Sequence, residues 1–299
     1  MADGLHRLGF VGFGAMARRM AVRLRDASFS VIAFDVAHPG GELDGFSLSA
    51  SAGALAEQVD AILVCVPDDH ALASSMQAEG SALDKARPGQ LLINFSTVSP
   101  DASRTLAEAA ARREVRFVEA SMSGSTPEAE VGQLVILAGG AEADVRAAGP
   151  ILDVIGRKTI HAGPVGDGLV TKLIINGVMA LGTAALAEGL AYGIRSGVDR
   201  DILIDALSSL ILVSEHHRRK LAMAKAGEYP PQFPTRLMSK DMGLLLADAR
   251  KCGASMPSMA AASQLYAYAS NSHSDEDYAS AIPALEDLAK DRNFRSPRG

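Results

Sequence analysis

Cysteine is scarce in this chain: Cys65 and Cys252 are the only two among 299 residues, and they lack the paired spacing of a zinc site or a thiol-redox motif. A reducing cytoplasm is the expected location. Basic charge is also in short supply. The 29 Lys and Arg fall below the 35 Asp and Glu, for a net charge of −6, so no excess exists to neutralise a nucleic-acid backbone or an anionic lipid surface. No nucleic-acid or membrane partner is expected. Residues 1–7 lack the apolar stretch of a secretory signal. The most apolar run, 173–187, is interrupted by Asn176 and follows Lys172, short of the roughly 18 unbroken apolar residues of a membrane span. It is expected to be a buried helix. No His, Asp and Cys cluster shows ligand spacing, so no metal is expected, and His216-His217 is taken as a solvated pair.

What is present is 48 % hydrophobic content, enough for a substantial core and two domains. Over 8–161, short apolar runs alternate with amphipathic stretches, the pattern of βαβ units. Strands are predicted over 8–13, 30–35, 61–66, 91–95, 115–119, 134–138 and 158–161. Helices are predicted over 15–26, 52–58, 100–113 and 142–155. After Gly163-Pro164 the pattern is all helical, over 168–195, 200–210, 214–226, 237–251, 258–269 and 275–290. The expected architecture is an α/β Rossmann-type domain with a parallel sheet over 1–164, then an all-α domain for substrate and dimerisation over 165–299. Residues 292–299 are expected to be loosely ordered. The run 173–187 is apolar nearly all round, so part of it should be covered by another subunit in a homodimer or homotetramer.

The first predicted strand leads into Gly12-Phe13-Gly14-Ala15-Met16-Ala17, a G-x-G-x-x-A turn between strand and helix. Gly12 permits the turn and Gly14 the close approach of a pyrophosphate. Ala17 lets the helix pack closely, and the helix N-terminus supplies amide donors. By itself the pattern is weak, since any α/β protein can carry a glycine-rich turn. Asp35 strengthens it. It stands 21 residues after Gly14 at the end of the second predicted strand, where a carboxylate accepts hydrogen bonds from a ribose. No Lys or Arg lies between Arg25 and Lys85, so NAD is expected over NADP. NADP stays open, because alanine at the third small position is also seen with NADP and Arg18 or Arg19 could fold back.

Ligands of open α/β sheets lie outside the carboxyl ends of the strands, which directs attention to three loops: Val66-Pro67-Asp68, Ser96-Thr97-Val98-Ser99-Pro100 and Ser121-Met122-Ser123-Gly124-Ser125. For Asp68 and Ser99 the ordinary helix-cap role is preferred. Ser123-Gly124 suits an anion pocket. Lys172 sits in the first turns of an apolar helix, where lysine is rarely buried without reason, and Asn176 follows one turn later on the same face. Two readings stay open: a reactive amine, or a lysine that snorkels outward beside a helix-packing Asn176.

In sequence order, these residues resemble the β-hydroxyacid dehydrogenases, a family that includes 3-hydroxyisobutyrate dehydrogenase and other enzymes similar to 6-phosphogluconate dehydrogenase. The motifs are the glycine turn over 9–17, Glu119-Ala120-Ser121-Met122-Ser123-Gly124 with Gly132, Gly166-Asp167-Gly168 through Lys172 to Asn176, and Lys240-Asp241 followed by Leu244. The resemblance covers essentially the whole chain. It implies that Lys172 transfers the proton, Asn176 orients substrate, Ser123 and the Gly124 backbone hold the substrate carboxylate, and Lys240 lines the closed site near the cofactor. Gly12, Phe13, Gly14, Ala15, Met16, Asp35, Val66, Pro67 and Thr97 would contact the dinucleotide, Thr97 on the nicotinamide side. It implies a small hydroxy acid or semialdehyde as substrate. Ser121, Ser125, Glu128 and Ile175 replace the family's usual proline, second glycine, a further glycine and the first of two asparagines, which leaves substrate identity open.

The chemistry agrees with that assignment. Oxidising an alcohol requires an acceptor for its hydroxyl proton while hydride leaves the same carbon. A lysine, ordinarily near pKa about 10.4, can serve only where desolvation or a neighbouring cation disfavours the ammonium. The alternatives are an imine or other carbonyl reductase on the same fold, against which Lys172 speaks, and a non-catalytic dinucleotide-binding module. A phosphorylated sugar acid would require extra arginines and a longer helical half; Arg218, Arg219 and Arg236 could reach a charged terminus but are taken as solvated charges.

Overall fold

The apolar runs of the first half pair into one nine-stranded sheet in the computed structural model, which describes residues 5–290. The strands are β1 (Arg7–Val11), β2 (Ser30–Phe34), β3 (Gly41–Leu43), β4 (Phe46–Leu48), β5 (Ala61–Val64), β6 (Leu91–Asn94), β7 (Arg116–Ser123), β8 (Leu134–Gly140) and β9 (Gly156–Gly163). Their order is β3-β4-β2-β1-β5-β6-β7-β8-β9. Every residue of β5 and β6 is buried, as expected of central parallel strands covered on both faces. Helices α1 (Ala15–Asp26), α2 (Ala52–Ala56), α3 (Asp69–Met76), α4 (Pro100–Ala111), α5 (Thr126–Glu130) and α6 (Glu142–Ile155) fill the connections. Alternation along β6 divides the core. Leu91 and Ile93 pack with Met20, Leu24 and Ile151, and Leu92 packs with Leu55, Leu72 and Leu106.

Several expectations need correction. The sheet is not parallel throughout, because β7 and β8 pair antiparallel. Only nine residues, 125–133, stand between Gly124 and β8, fewer than a parallel crossover requires. The predicted fifth strand runs on to Ser123, so Ser121, Met122 and Ser123 are strand rather than loop. A hairpin of β3 and β4 was not predicted. Its turn is Asp44-Gly45, with φ of +52° and +77°, the Asp-Gly turn that suits the twist of two strands. The tail 292–299 lies outside the described residues.

From Gly163-Pro164 onward the described residues are helical, as the change of pattern predicts, but the two compact units divide later, between Lys172 and Leu173, inside α7 (Asp167–Arg195). The second unit continues through α8 (Arg200–Ser209), α9 (Glu215–Ala226), α10 (Thr235–Lys251), α11 (Pro257–Ala269) and α12 (Ala281–Lys290). The last helix starts at 281, not 275. Asp277 accepts the Ala279 amide at 3.0 Å and caps a separate 3-10 turn over Tyr278–Ser280. Ala180, Met238, Met242, Tyr266 and Tyr278 form one core cluster, and Leu190, Ile204, Leu221 and Ile282 another. By length and composition α7 could cross a membrane, although half of its most apolar stretch is buried within the protein.

Candidate active site

The strand order reverses at β1, with β2 on one side and β5 on the other. This is the switch point at which open α/β sheets bind ligands. Gly12 turns the chain there with φ +86°, its amide donating to the Phe34 carbonyl at 2.9 Å. An added Cβ would lie 2.3 Å from the Cys65 carbonyl oxygen, so no side chain fits. A Cβ on Gly14 would meet nothing within 4 Å. That open space lies at the start of α1, whose N-terminus has no side-chain cap and no acidic residue in its first turn. No side chain caps its first-turn amides, which leaves them open to an anionic group such as a pyrophosphate. Phe13, Ala15 and Met16 complete the turn, and buried Ala17 lets the helix approach the sheet. Asp35 follows β2 and accepts the Phe13 amide at 2.8 Å and the Ala37 amide at 2.9 Å. The acid and the glycine turn thus meet, and they fit a nucleoside diphosphate.

The loops after β5 and β6 are tied together. The Val66 amide donates to Ser96 Oγ at 2.9 Å, and Ser99 donates to Asp69 through its amide at 2.8 Å and its hydroxyl at 2.6 Å. Asp68 caps α3 and Ser99 caps α4, in the expected cap roles. Exposed Pro67 and half-buried Thr97 occupy the same carboxyl edge. Ser123 ends β7 on that edge, since β6 and β7 are parallel. Gly124 follows with φ +128° and packs on Glu128, whose Cβ would be 3.1 Å from an added Cβ. Two departures from the family pattern, Ser125 and Glu128, prove to be one feature. Glu128 Oε2 accepts the Ser125 amide and hydroxyl, each at 2.8 Å, in a capping box that starts α5.

Lys172 is only 8 % exposed, so it does not snorkel into solvent. Asn176, one turn on, is 1 % exposed and donates its Nδ2 to Asp241 Oδ2 at 2.6 Å. The helix-packing role is therefore real, yet it leaves Asn176 Oδ1 buried without a partner. Lys240 Nζ stands 3.1 Å from Asp241 Oδ1, which makes Asp241 the link between two residues singled out by sequence. The sequence motif contains Asp241 but gives it no role of its own. The available signal was its place among Met238, Met242 and Leu245 on the buried face of α10. Glu119 was quoted only as part of a motif; it is fully buried in β7 and accepts three hydrogen bonds.

The His216-His217 pair requires correction. His216 is partly buried and hydrogen-bonds the Tyr278 hydroxyl, and burial, aided by the positive charge of Lys220, pushes its pKa down to about 4. Arg218 is engaged with the Ser208 and Leu210 carbonyls, and Arg236 pairs with Asp275 at 2.9 Å. Among the described residues no group of three or more His, Cys, Asp or Glu could hold a metal ion.

The sheet order, glycine turn and strand-end acid define a Rossmann-type dinucleotide-binding domain, and comparison with known proteins specifies its kind. Residues 7–163 match the NAD-binding domain of 6-phosphogluconate dehydrogenase, and residues 166–285 match a second, separate family described as the NAD-binding region of NADP-dependent 3-hydroxyisobutyrate dehydrogenase. Glyoxylate/succinic semialdehyde reductase 1 of Arabidopsis thaliana is 32 % identical over 93 % of this chain and 98 % of its own. The 3-hydroxyisobutyrate dehydrogenase of Pseudomonas aeruginosa is 30 % identical over 91 % and 96 %. A solved Mycobacterium tuberculosis 3-hydroxyisobutyrate dehydrogenase with L-serine superposes with a TM-score of 0.82 at 26 % identity, covering 94 % of this chain and 99 % of that one. The chain belongs to the β-hydroxyacid dehydrogenase family. It is an NAD(P)-dependent oxidoreductase of the kind that acts on CH–OH groups.

Proposed function

We propose that the enzyme interconverts a small 3-hydroxy acid of the 3-hydroxyisobutyrate type and its semialdehyde using NAD, with Lys172 carrying the proton. The observation behind this reading is the burial of Lys172 one helical turn before an asparagine whose Oδ1 has no partner. When bound, the nicotinamide supplies the hydride acceptor. Ser123 and the Gly124 amide hold the substrate carboxylate, and Asn176 orients the substrate while Asp241 holds its amide nitrogen, which leaves the substrate hydroxyl proton to Lys172. With water stripped from it, the Lys172 amine exchanges its proton with the substrate oxygen rather than with solvent. In the reductive direction the ammonium donates to the developing alkoxide. Nicotinamide absorbance during incubation with NAD or NADP and a panel of 3-hydroxy acids tests the reading; dinucleotide binding with no turnover on any acid would overturn it.

NAD is proposed over NADP because Asp35 would repel a 2′-phosphate and the nearby cations are engaged. Arg18 pairs with Asp44 at 2.9 Å, and Arg19 with Glu130 at 2.8 Å. Asp35→Ala is expected to raise the Kd for NAD about tenfold, the scale of one lost charge-assisted hydrogen bond, and to affect NADP less. Equal losses measured by fluorescence titration would remove the argument.

A homodimer or homotetramer is proposed from the second unit, where Ile211 is 99 % exposed beside exposed Leu210 and Leu212, with Tyr192 and Ile202 also exposed. A monomer seldom leaves so much large apolar surface uncovered. Ile211→Asp combined with Leu212→Asp is expected to lower the mass found by light scattering. A monomeric wild type would end this part of the proposal.

A further inference from the structure

We propose that Glu119 is the positioning residue of the catalytic helix: from the middle of β7 its buried carboxylate holds the first turn of α7 and thereby fixes Lys172 relative to Ser123. The inference rests on Lys172 as the proton carrier and adds the group that sets where it stands.

Glu119 has no solvent exposure. Its Oε1 accepts the Leu169 amide at 2.7 Å, and its Oε2 accepts the Gly166 amide at 3.0 Å and the Ser103 hydroxyl at 2.7 Å. The two backbone amides can only donate, so each carboxyl oxygen is held as an acceptor by one amide of the helix start, with the Ser103 hydroxyl bonded to Oε2 as well. Burial holds the Glu119 carboxyl above the usual carboxylate range, and the three hydrogen bonds and the charge of Arg104 offset that push only in part. The surroundings are shaped for this side chain. A Cβ on Gly139 would come within 3.0 Å of Oε1, and one on Gly168 within 2.8 Å. Sheet register brings the helix to the carboxylate, since Glu119 pairs with Gly139, and Gly139 with Gly163 at the end of β9. These contacts also explain why the sequence has glycine at 168, next to the helix start.

An ordinary N-cap comes from a side chain adjacent in sequence and relates a helix to nothing else. This one comes from 47 and 50 residues away, on the strand whose last residue is Ser123. Leu169 is three residues before Lys172, within one turn. The carboxylate thus joins the strand proposed to seat the substrate to the helix proposed to carry its proton. Misplacement of a reacting group by about 1 Å can cost about 100-fold in rate.

Glu119→Gln keeps the shape but turns an NH2 group toward one of the donors. It is expected to lower kcat at least tenfold, with KM and the Kd for NADH within threefold of wild type and a larger primary isotope effect with deuterated NADH. Ser103→Ala, which leaves both helix amides bonded, should lower kcat two- to fivefold with the same pattern, and it serves as the measurement should Glu119→Gln fail to fold. Unchanged kcat in a folded Glu119→Gln protein would overturn the proposal. So would a loss that falls on Tm and on both binding constants with the isotope effect unmoved, since that is a structural role only. Lys172→Ala, run alongside, separates the two ideas: if it stays active, the proton-transfer reading fails first.

Discussion

Lys172→Ala is expected to reduce kcat by about 10²–10⁴-fold, the contribution typical of a positioned general acid or base. NAD affinity should hold, because the proposed dinucleotide contacts lie in the Gly12 turn and at Asp35, on other elements. Lys172→Arg keeps a cation of similar reach, but a guanidinium gives up its proton far less readily than an ammonium, so it should be nearly as inactive. A distinguishing measurement is chemical rescue. Truncation leaves a cavity beside the substrate, and added primary amines should restore turnover in proportion to their basicity. Residual activity above one tenth of wild type would end the proton-transfer role. Inactivity together with lost NAD binding would point to a helix that no longer packs. The expected loss is large because Lys172 is buried, which limits the access of water as a substitute.

The parts of this architecture that were legible in the sequence are those written locally. Helices α1 and α6 occupy the predicted residues, 15–26 and 142–155, because their apolar positions recur at helical spacing. The glycine turn and Asp35 were legible because a strand, a turn and a helix follow one another within 30 residues. Direction was not. The run Leu134–Gly140 is almost wholly buried, and a strand covered on both faces has the same apolar pattern whichever way it runs. The hairpin of β3 and β4 was hidden because strands of three residues carry too few side chains to show alternation, although its Asp-Gly turn was visible. The site divides in the same way. Lys172 and Asn176 stand out as polar residues in an apolar helix. The roles of Asp241 and Glu119 depend on partners 65 and 50 residues away. His216 was misread for that reason, since Tyr278 is 62 residues on.

Asp277→Ala is expected to be the most destabilising single change in the helical unit. Its carboxylate, with no exposure, receives both 2.8 and 3.0 Å bonds from Lys220 Nζ and further bonds from the Phe233 and Ala279 amides. Lys220 is itself buried, with Nζ 4.7 Å from the centre of the Tyr278 ring. Removing one member of such a pair costs about 3–5 kcal/mol, because the remaining charge loses its counter-ion in a dry interior. At roughly 2–4 °C per kcal/mol for a chain of this size, Tm should fall by about 10 °C. Lys220→Met added to Asp277→Ala should recover part of the loss, since no buried charge then remains; a double variant less stable than either single one would contradict this account.

The same cluster gives the protein a defined acid response. His216 faces Lys220, His217 and Arg219, which disfavour its protonation, and Asp277, which favours it; burial, the largest influence, brings its pKa from 6.5 to about 4. Between those values the unfolded chain binds a proton that the folded chain does not. Stability from this residue is therefore complete above pH 6.5, declines as pH falls toward about 4, and declines no further below that. His216→Gln should flatten the fall in Tm between pH 7 and pH 4.5, at the cost of the bond to Tyr278 at neutral pH. An equal slope in wild type and variant would mean that other groups carry the acid response. Asp277→Ala should extend the decline due to His216 to lower pH than about 4, because it removes the anion that favours protonated His216 and leaves Lys220 in place.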